Sequence, residues 1–131
     1  ANIASKAVKE ATYHLRRSSE WVKRMGDGTE ESHRRIQDAF DLLWRFTGEL
    51  VTPDEIDHAM FKAGIGPDPE QLKQDWFGMV REVAAQATLT TGAEDAWMYM
   101  GGKRGEHTEH LGHILAVMQF LPRAYPDATT W

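Results

Sequence analysis

The sequence has no cysteine among its 131 residues, and this absence excludes several kinds of site. Disulfides, zinc–thiolate sites and cysteine nucleophiles all depend on that side chain. Long apolar runs are also absent, because the longest ones fall far short of the ~20 residues that cross a bilayer. No signal-peptide pattern is visible. We therefore expect a protein without disulfides or membrane spans, and the lack of cysteine fits the cytoplasm.

Positive charge is in short supply as well. Lys and Arg number 15 against 20 Asp and Glu, which gives a formal net charge of -5. Because nucleic-acid binding normally needs a basic face, this balance gives no sign of a nucleic-acid partner. Hydrophobic residues make up 41% of the chain, which is too many for a disordered protein. The sequence predicts a folded domain that buries roughly two thirds of its unfolded surface.

Apolar residues recur with helical spacing throughout the chain, and no segment competes with the two-residue period of a strand. Helices are predicted over about residues 3–25, 30–50, 52–64, 69–87 and 106–121. The first helix carries a seam with alternating steps of four and three residues, typical of a helical bundle: Ala4, Val8, Ala11, Leu15, Ser18, Val22 and Met25. The predicted class is all-α.

Capping residues and glycines separate the predicted helices. Thr29 is the expected N-cap of the second helix, with Ser32 as the weaker choice, Thr52 caps the third and Asp68 the fourth. The segment 26–28, Gly-Asp-Gly, is expected to end the first helix through a left-handed glycine. Two helices are expected to bury apolar faces, formed by Leu72, Trp76, Met79, Val80 and Val83 in one and by Leu111, Ile114, Leu115 and Met118 in the other.

Glu10 and His14 stand one helical turn apart, so both lie on the same face of the first helix. Ferritin-like di-iron bundles use Glu-x-x-His, with the His three residues after the Glu. Here the spacing is four, and Tyr13 occupies the position of the ligand His. The pair is either a metal or acid–base pair or, as we favour, a structural pair, since two side chains cannot close a di-iron site. With Arg16 and Arg17 it is a candidate for a buried polar network.

The last helix begins among histidines, behind a glycine-rich loop. His107, His110 and His113 recur every three residues and drift about 60° per step on a helix, so at most two could share a metal. Exposed, hydrogen-bonding histidines are the favoured interpretation. Lys103 and Arg104 lie in the loop 101–105, whose backbone amides and cations could bind a phosphate. A basic loop that docks on an acidic partner explains the same residues equally well.

Several of these stretches occur together in one known family. They are Lys9-Glu10-Ala11-Thr12-Tyr13-His14-Leu15-Arg16, Gly26-Asp27-Gly28-Thr29, Leu43-Trp44-Arg45-Phe46-Thr47, Gly64-Ile65, Gly101-Gly102-Lys103 with Gly105, and His107-Thr108-Glu109-His110-Leu111-Gly112. In this order, and over nearly the whole chain, the sequence resembles the C-terminal half of PaaC-type subunits. These are the non-catalytic, structural subunits of bacterial ring-1,2-phenylacetyl-CoA epoxidase. The family's polypeptide is about twice as long, so we expect this chain to be a piece of a longer one.

The resemblance implies a ferritin-like helical bundle, of which this chain would be the C-terminal portion. Residues 1–131 would form a single helical domain or fragment, with bundle helices over 1–50 and a C-terminal helical elaboration over 51–131. It also implies a cytoplasmic, multicomponent monooxygenase of phenylacetate catabolism, which uses dioxygen and reductase-derived electrons to epoxidise the ring of phenylacetyl-CoA. A separate ferritin-like subunit would carry the di-iron centre. This chain would then hold no cofactor and no catalytic residue, and Glu10 and His14 would be a degenerate remnant.

The resemblance also implies partners. The first is the catalytic subunit, and the second is either the missing N-terminal half or another copy of the chain, which would cover the seam of the first helix. Lys103, Arg104, His107 and His110 become candidates for contact with a partner or with the phosphates of CoA. The alternative function is a metal-binding ferritin-like oxidoreductase subunit that uses Glu10 and His14.

Overall fold

The computed structural model describes residues 2–129, and within that range every regular element is helical. The α-helices, in chain order, are α1 (Asn2–Gly26), α2 (Glu30–Trp44), α3 (Glu55–Lys62), α4 (Pro69–Gln86), α5 (Glu109–Met118) and α6 (Phe120–Ala124). Short 3-10 helices span Gly48–Leu50 and Gly102–Arg104. The predicted all-α class is confirmed. The chain divides after Tyr99 into two compact units, which we describe separately.

Two helices of the first unit begin where the sequence predicted. The hydroxyl of Thr29 accepts a hydrogen bond from the amide of Ser32 at the start of α2. The carboxylate of Asp68 accepts from the amides of Glu70 and Gln71 at the start of α4. Each side chain satisfies amides that have no partner inside the helix, which is why these residues define helix starts.

Helix α3 begins later than predicted, because its cap is Asp54 and not Thr52. Asp54 accepts from the amides of Ile56 and Asp57, while the Asp57 carboxylate accepts from the Asp54 amide. This reciprocal capping box satisfies amides at both ends of the first turn. The hydroxyl of Thr52 donates instead to the carbonyl of Gly48, 2.8 Å away.

Helix α2 ends at Trp44, and the prediction that it continues to residue 50 is wrong. The hydroxyl of Thr47 donates to the Trp44 carbonyl at 2.8 Å, which satisfies an acceptor at the helix end. The chain then turns through the Gly48–Leu50 3-10 helix, and Val51 joins the cluster that contains Trp44. Burial of Val51 against Trp44 therefore overrides the helical pattern of this segment.

Two apolar clusters form the core of the first unit, and α4 contributes to both. The first consists of Trp44, Val51 and Phe77, and the second of Ala84, Ala87 and Leu89. The predicted buried face of α4 needs correction. Trp76, Met79, Val80 and Val83 are half-buried, but Leu72 is exposed, whereas Phe77 and Ala84 are buried without having been predicted.

Helix α1 has the predicted extent, but its left-handed glycine cap was a wrong prediction. Neither Gly26 nor Gly28 has a positive φ. Gly26 is buried where the end of α1 meets the end of α4, and a Cβ there would overlap the carbonyl oxygen of Ala87 and lie 2.7 Å from its Cβ. Upstream of this crossing, residues 2–18 of α1 are exposed on every side. The seam of α1 is therefore uncovered over Ala4–Leu15 within the described chain.

The second unit holds α5 and α6 in place of the single helix predicted from 106 to 121. Pro122 lies in the first turn of α6, and its missing N–H cannot bond to the carbonyl of Met118, four residues earlier. The helix therefore breaks after Met118. The predicted inward face of α5 is wrong for the described chain, since Ile114, Leu115 and Met118 are exposed. No helix within residues 2–129 is both long and apolar enough to cross a membrane.

Candidate functional site

Glu10 and His14 lie on the exposed part of α1. Glu10 Oε2 and His14 Nε2 are 3.9 Å apart, and the side chains of His14 and Glu10 are 72% and 70% exposed. The His14 ring also meets the Tyr13 ring edge-on, with centroids 5.6 Å apart. A pair at this distance in water contributes little to stability. Its geometry is that of a loose i,i+4 pair on a helix surface.

The residues present do not make up a di-iron ligand set. Ferritin-like centres take a Glu from each of two helices and a Glu-x-x-His pair from each of the other two, all projecting inward. Within residues 2–129, no three His, Asp or Glu side chains come together as a metal site would require. Glu10 and His14 supply two donors from a single helix, and both face solvent. A centre that used them would need its other ligands from outside the described residues.

Arg16 and Arg17 are exposed and do not join Glu10 and His14 in a network within the described chain. The Arg17 guanidinium lies 5.1 Å from the centre of the Trp21 ring, a cation–π distance. Arg24 approaches the same ring from the next turn, at 5.9 Å. The predicted buried polar network therefore stays a prediction that depends on whatever covers α1.

The glycine-rich loop of the second unit is tightly closed. Gly101 and Gly105 have φ values of 114° and 87°, which favour glycine, and they flank the short Gly102–Arg104 helix. The carbonyl of Gly101 accepts from the amides of Arg104 and Glu106, each at 2.9 Å. The Glu106 carboxylate lies so close that a Cβ at Gly101 would be 2.6 Å from its Oε2. An anion at this loop would therefore meet a negative charge.

The four residues proposed for partner or phosphate contact are all exposed and lie in the second unit. Lys103 and Arg104 belong to the 3-10 helix, His107 precedes α5, and His110 lies in its first turn. Helix α5 begins at Glu109, about three residues after its predicted start, so the loop does not lead directly into the helix N-terminus. The cations are accessible, but the helix dipole contributes less at the loop than the sequence suggested.

Two surface features went unassigned at the sequence level. Phe46 and Tyr99 stack with centroids 4.8 Å apart, and Trp97 meets Tyr99 edge-on at 4.5 Å. The apolar stretch 97–100 in a turn-rich segment was a signal for this cluster, but Phe46 is distant in sequence. The second feature is a shallow depression along one side of α1, lined by Tyr13, Arg16, Arg17, Glu20, Trp21 and Arg24. Its residues recur with helical spacing, so the sequence contained the signal.

Residues 1–131 match a family of proteins described as phenylacetic acid catabolic protein. The chain belongs to this family. The phenylacetic acid catabolic protein family is ferritin-like and helical, in agreement with the all-α structure. The resemblance inferred from the motifs in residues 9–16 and 107–112 is thereby confirmed.

A relative within the phenylacetic acid catabolic protein family is the PaaC-type subunit of the 1,2-phenylacetyl-CoA epoxidase of Escherichia coli. It is 48% identical over 126 residues, which cover 96% of this chain and 50% of that protein. The chain thus spans about half the length of this relative. The identity extends over nearly all of both compact units, so it includes α1 with Glu10 and His14 as well as the glycine-rich loop.

Proposed function

We propose that this chain is part of a structural subunit of a multicomponent di-iron monooxygenase that epoxidises the ring of phenylacetyl-CoA in cytoplasmic phenylacetate catabolism. A separate ferritin-like subunit holds the di-iron centre and the substrate, and this chain supports it without contributing a catalytic residue. The observation that carries the proposal is the 48% identity to a protein named as one of the subunits of a 1,2-phenylacetyl-CoA epoxidase.

The geometry of α1 supports a structural role. Glu10 and His14 are four residues apart, Tyr13 stands at the ligand position, and the pair is loose and exposed. A remnant of a ligand motif needs no metal to keep its place on a helix. The exposed seam of α1 gives this helix a scaffold function instead, because apolar side chains at bundle spacing gain stability only when another helix covers them. The missing N-terminal half of the subunit, or another copy of the chain, supplies that cover.

Omission of the subunit tests the proposal. Epoxidase assembled from all its subunits, with the full-length form of this protein, is expected to epoxidise phenylacetyl-CoA at least about tenfold faster than the assembly without it, a difference of about 1.4 kcal/mol in activation free energy. The initial rate of epoxide formation is the measurement. Equal rates with and without the full-length protein would contradict a supporting role.

Elemental analysis separates this proposal from the alternative, a metal-binding oxidoreductase subunit that uses Glu10 and His14. The purified full-length protein is expected to contain far less than one iron per chain, because these two donors do not complete a site. The alternative requires stoichiometric iron that is lost in the Glu10→Ala/His14→Ala variant. Stoichiometric iron in the unsubstituted protein would overturn the proposed structural role.

Contact between the glycine-rich loop and the CoA phosphates is a further part of the proposal. Arg104→Glu in the full-length protein, within the assembled epoxidase, is expected to raise KM for phenylacetyl-CoA roughly tenfold, since a charged hydrogen bond is lost and a repulsion gained. Arg123→Glu is the matched control, because it makes the same charge change at another exposed position of the second unit. Equal KM values for the two variants would remove the loop from the substrate site.

A further inference from the structure

Charge is divided unevenly along the chain. Helix α1 carries six cations, at Lys6, Lys9, Arg16, Arg17, Lys23 and Arg24. Its only acidic residues are Glu10 and Glu20, so α1 has a net charge of +4 in a chain whose total is -5. The remaining residues therefore sum to -9. A strongly basic helix attached to an acidic body suggests that the two attract their opposites on another molecule.

The structure defines which side of α1 faces the rest of its unit. Val22 packs beside the cluster of Ala84, Ala87 and Leu89, and Gly26 is buried against Ala87. The inward side is thus the side of the seam. Because each helical residue turns about 100°, Tyr13, Arg17 and Arg24 lie about 180–220° from Val22. The basic side of α1 points away from its own unit, and a helix that covers the seam leaves this side exposed.

The cations of α1 are not neutralised within the described residues. None of the six lies within ion-pair distance of a carboxylate there, since the ion pair on α1 is that of Glu10 with His14. Arg17 and Arg24 lie instead against the Trp21 ring, which leaves the edges of both guanidinium groups available for hydrogen bonds. We call the surface formed by Tyr13, Arg16, Arg17, Trp21 and Arg24 the basic face.

A complementary surface occurs in the same unit. The segment 49–75, which includes α3 and the start of α4, holds seven acidic residues against Lys62 and Lys73, a net charge of -5. It also exposes large apolar side chains, with Ile56 and Ile65 each 71% exposed. Exposed apolar groups among acidic ones are typical of a protein-binding surface. We call this segment the acidic face.

We propose that the basic face of α1 in one copy of the protein docks on the acidic face of a second copy, and reciprocally, in a two-fold symmetric dimer. In such a dimer each contact occurs twice, so every copy offers one basic and one acidic face. The exposed length of α1, about 25 Å over residues 2–18, suffices to cross α3 and the first turns of α4, each roughly 10–12 Å long. Charge complementarity within one sequence favours a second copy over an unrelated acidic protein.

Sedimentation velocity of the full-length protein tests the dimer. A dimer is expected in about 50 mM salt, with a Kd at least roughly tenfold higher in about 500 mM salt, because salt screens exposed charges. Arg16→Glu/Arg17→Glu is expected to weaken the dimer at least roughly tenfold at the lower salt concentration. Arg45→Glu/Arg123→Glu makes the same total charge change outside both faces and is expected to leave the Kd unchanged. A monomer under all conditions, or equal weakening by both double variants, would overturn the proposal.

A charge exchange distinguishes docking from a loss of folding. Glu70→Lys/Asp75→Lys reverses the acidic face and is expected to weaken the dimer of its own chain. Mixed with Arg16→Glu/Arg17→Glu, it is expected to form a heterodimer, because both contacts are then again between opposite charges. Mixtures that stay monomeric, while each variant keeps its helical circular dichroism, would show that these faces do not pair. Association of the basic face only with another protein of the epoxidase, and not with a second copy, would also overturn the proposal.

Discussion

Trp44→Ala is expected to lower the free energy of unfolding by about 3–5 kcal/mol, because it removes the largest buried side chain of the first cluster. The Trp44 ring is 8% exposed and packs on Phe77 and Trp76, with ring centroids 6.3 and 6.1 Å apart. Its Nε1–H also donates to the carbonyl of Ala93 at 3.0 Å. The substitution leaves a cavity and an acceptor without its donor, and both effects destabilise the fold.

The measurement is urea unfolding followed by circular dichroism, with two matched variants beside Trp44→Ala. Trp44→Phe keeps a ring but loses the bond to Ala93, and we expect a loss of about 1–3 kcal/mol. Leu43→Ala removes an exposed neighbour on the same helix and is expected to change stability by less than about 0.5 kcal/mol. If Trp44→Ala resembled Leu43→Ala, the cluster would not be the core of this unit.

Helix starts could be predicted from the sequence, because capping is local chemistry. Thr29 and Asp68 cap α2 and α4 as expected, since a hydroxyl or carboxylate reaches amides only two or three residues ahead. The extents of α1 and α4 follow equally well from local spacing. The start of α3 was missed by two residues because two polar side chains competed, and Asp54 forms a capping box with Asp57.

Helix ends set by distant contacts could not be predicted. Helix α2 stops at Trp44 because Val51 and Ala93 meet that side chain, and neither partner is signalled near residue 44. Thr88 is a second case, with a φ of 57° that a β-branched residue seldom adopts. There the amide of Leu89 donates to the carbonyl of Ala84, a Schellman ending that burial of Leu89 makes worthwhile.

The candidate site was predictable in position but not in environment. The spacing of Glu10 and His14 placed them on one face of α1, and the structure has them there, 3.9 Å apart. Whether they are buried depends on which chain covers α1, and no local pattern encodes that. The loop near Lys103 shows the same limit, because the Glu106 carboxylate beside Gly101 follows from the turn geometry rather than from the motif.

Gly26→Ala is expected to lower the free energy of unfolding by about 1–3 kcal/mol, because the added Cβ overlaps the backbone of Ala87. Ala87 is fully buried, so neither helix end can move aside without opening the second cluster. Gly78→Ala is the matched control within α4, where a Cβ meets nothing within 4 Å. That variant is expected to raise stability by about 0.5–1 kcal/mol, since alanine favours a helix over glycine.

Gly26→Asn decides between the two reasons for a glycine at this position. If Gly26 were a left-handed cap, asparagine would be tolerated better than alanine, because it adopts positive φ more readily. If the close approach to Ala87 is the reason, the larger asparagine side chain must be worse than alanine. We expect the second order of stability, with urea midpoints falling from glycine to alanine to asparagine. The reverse order for the two variants would show that α1 ends by backbone conformation and that the contact between α1 and α4 is not close.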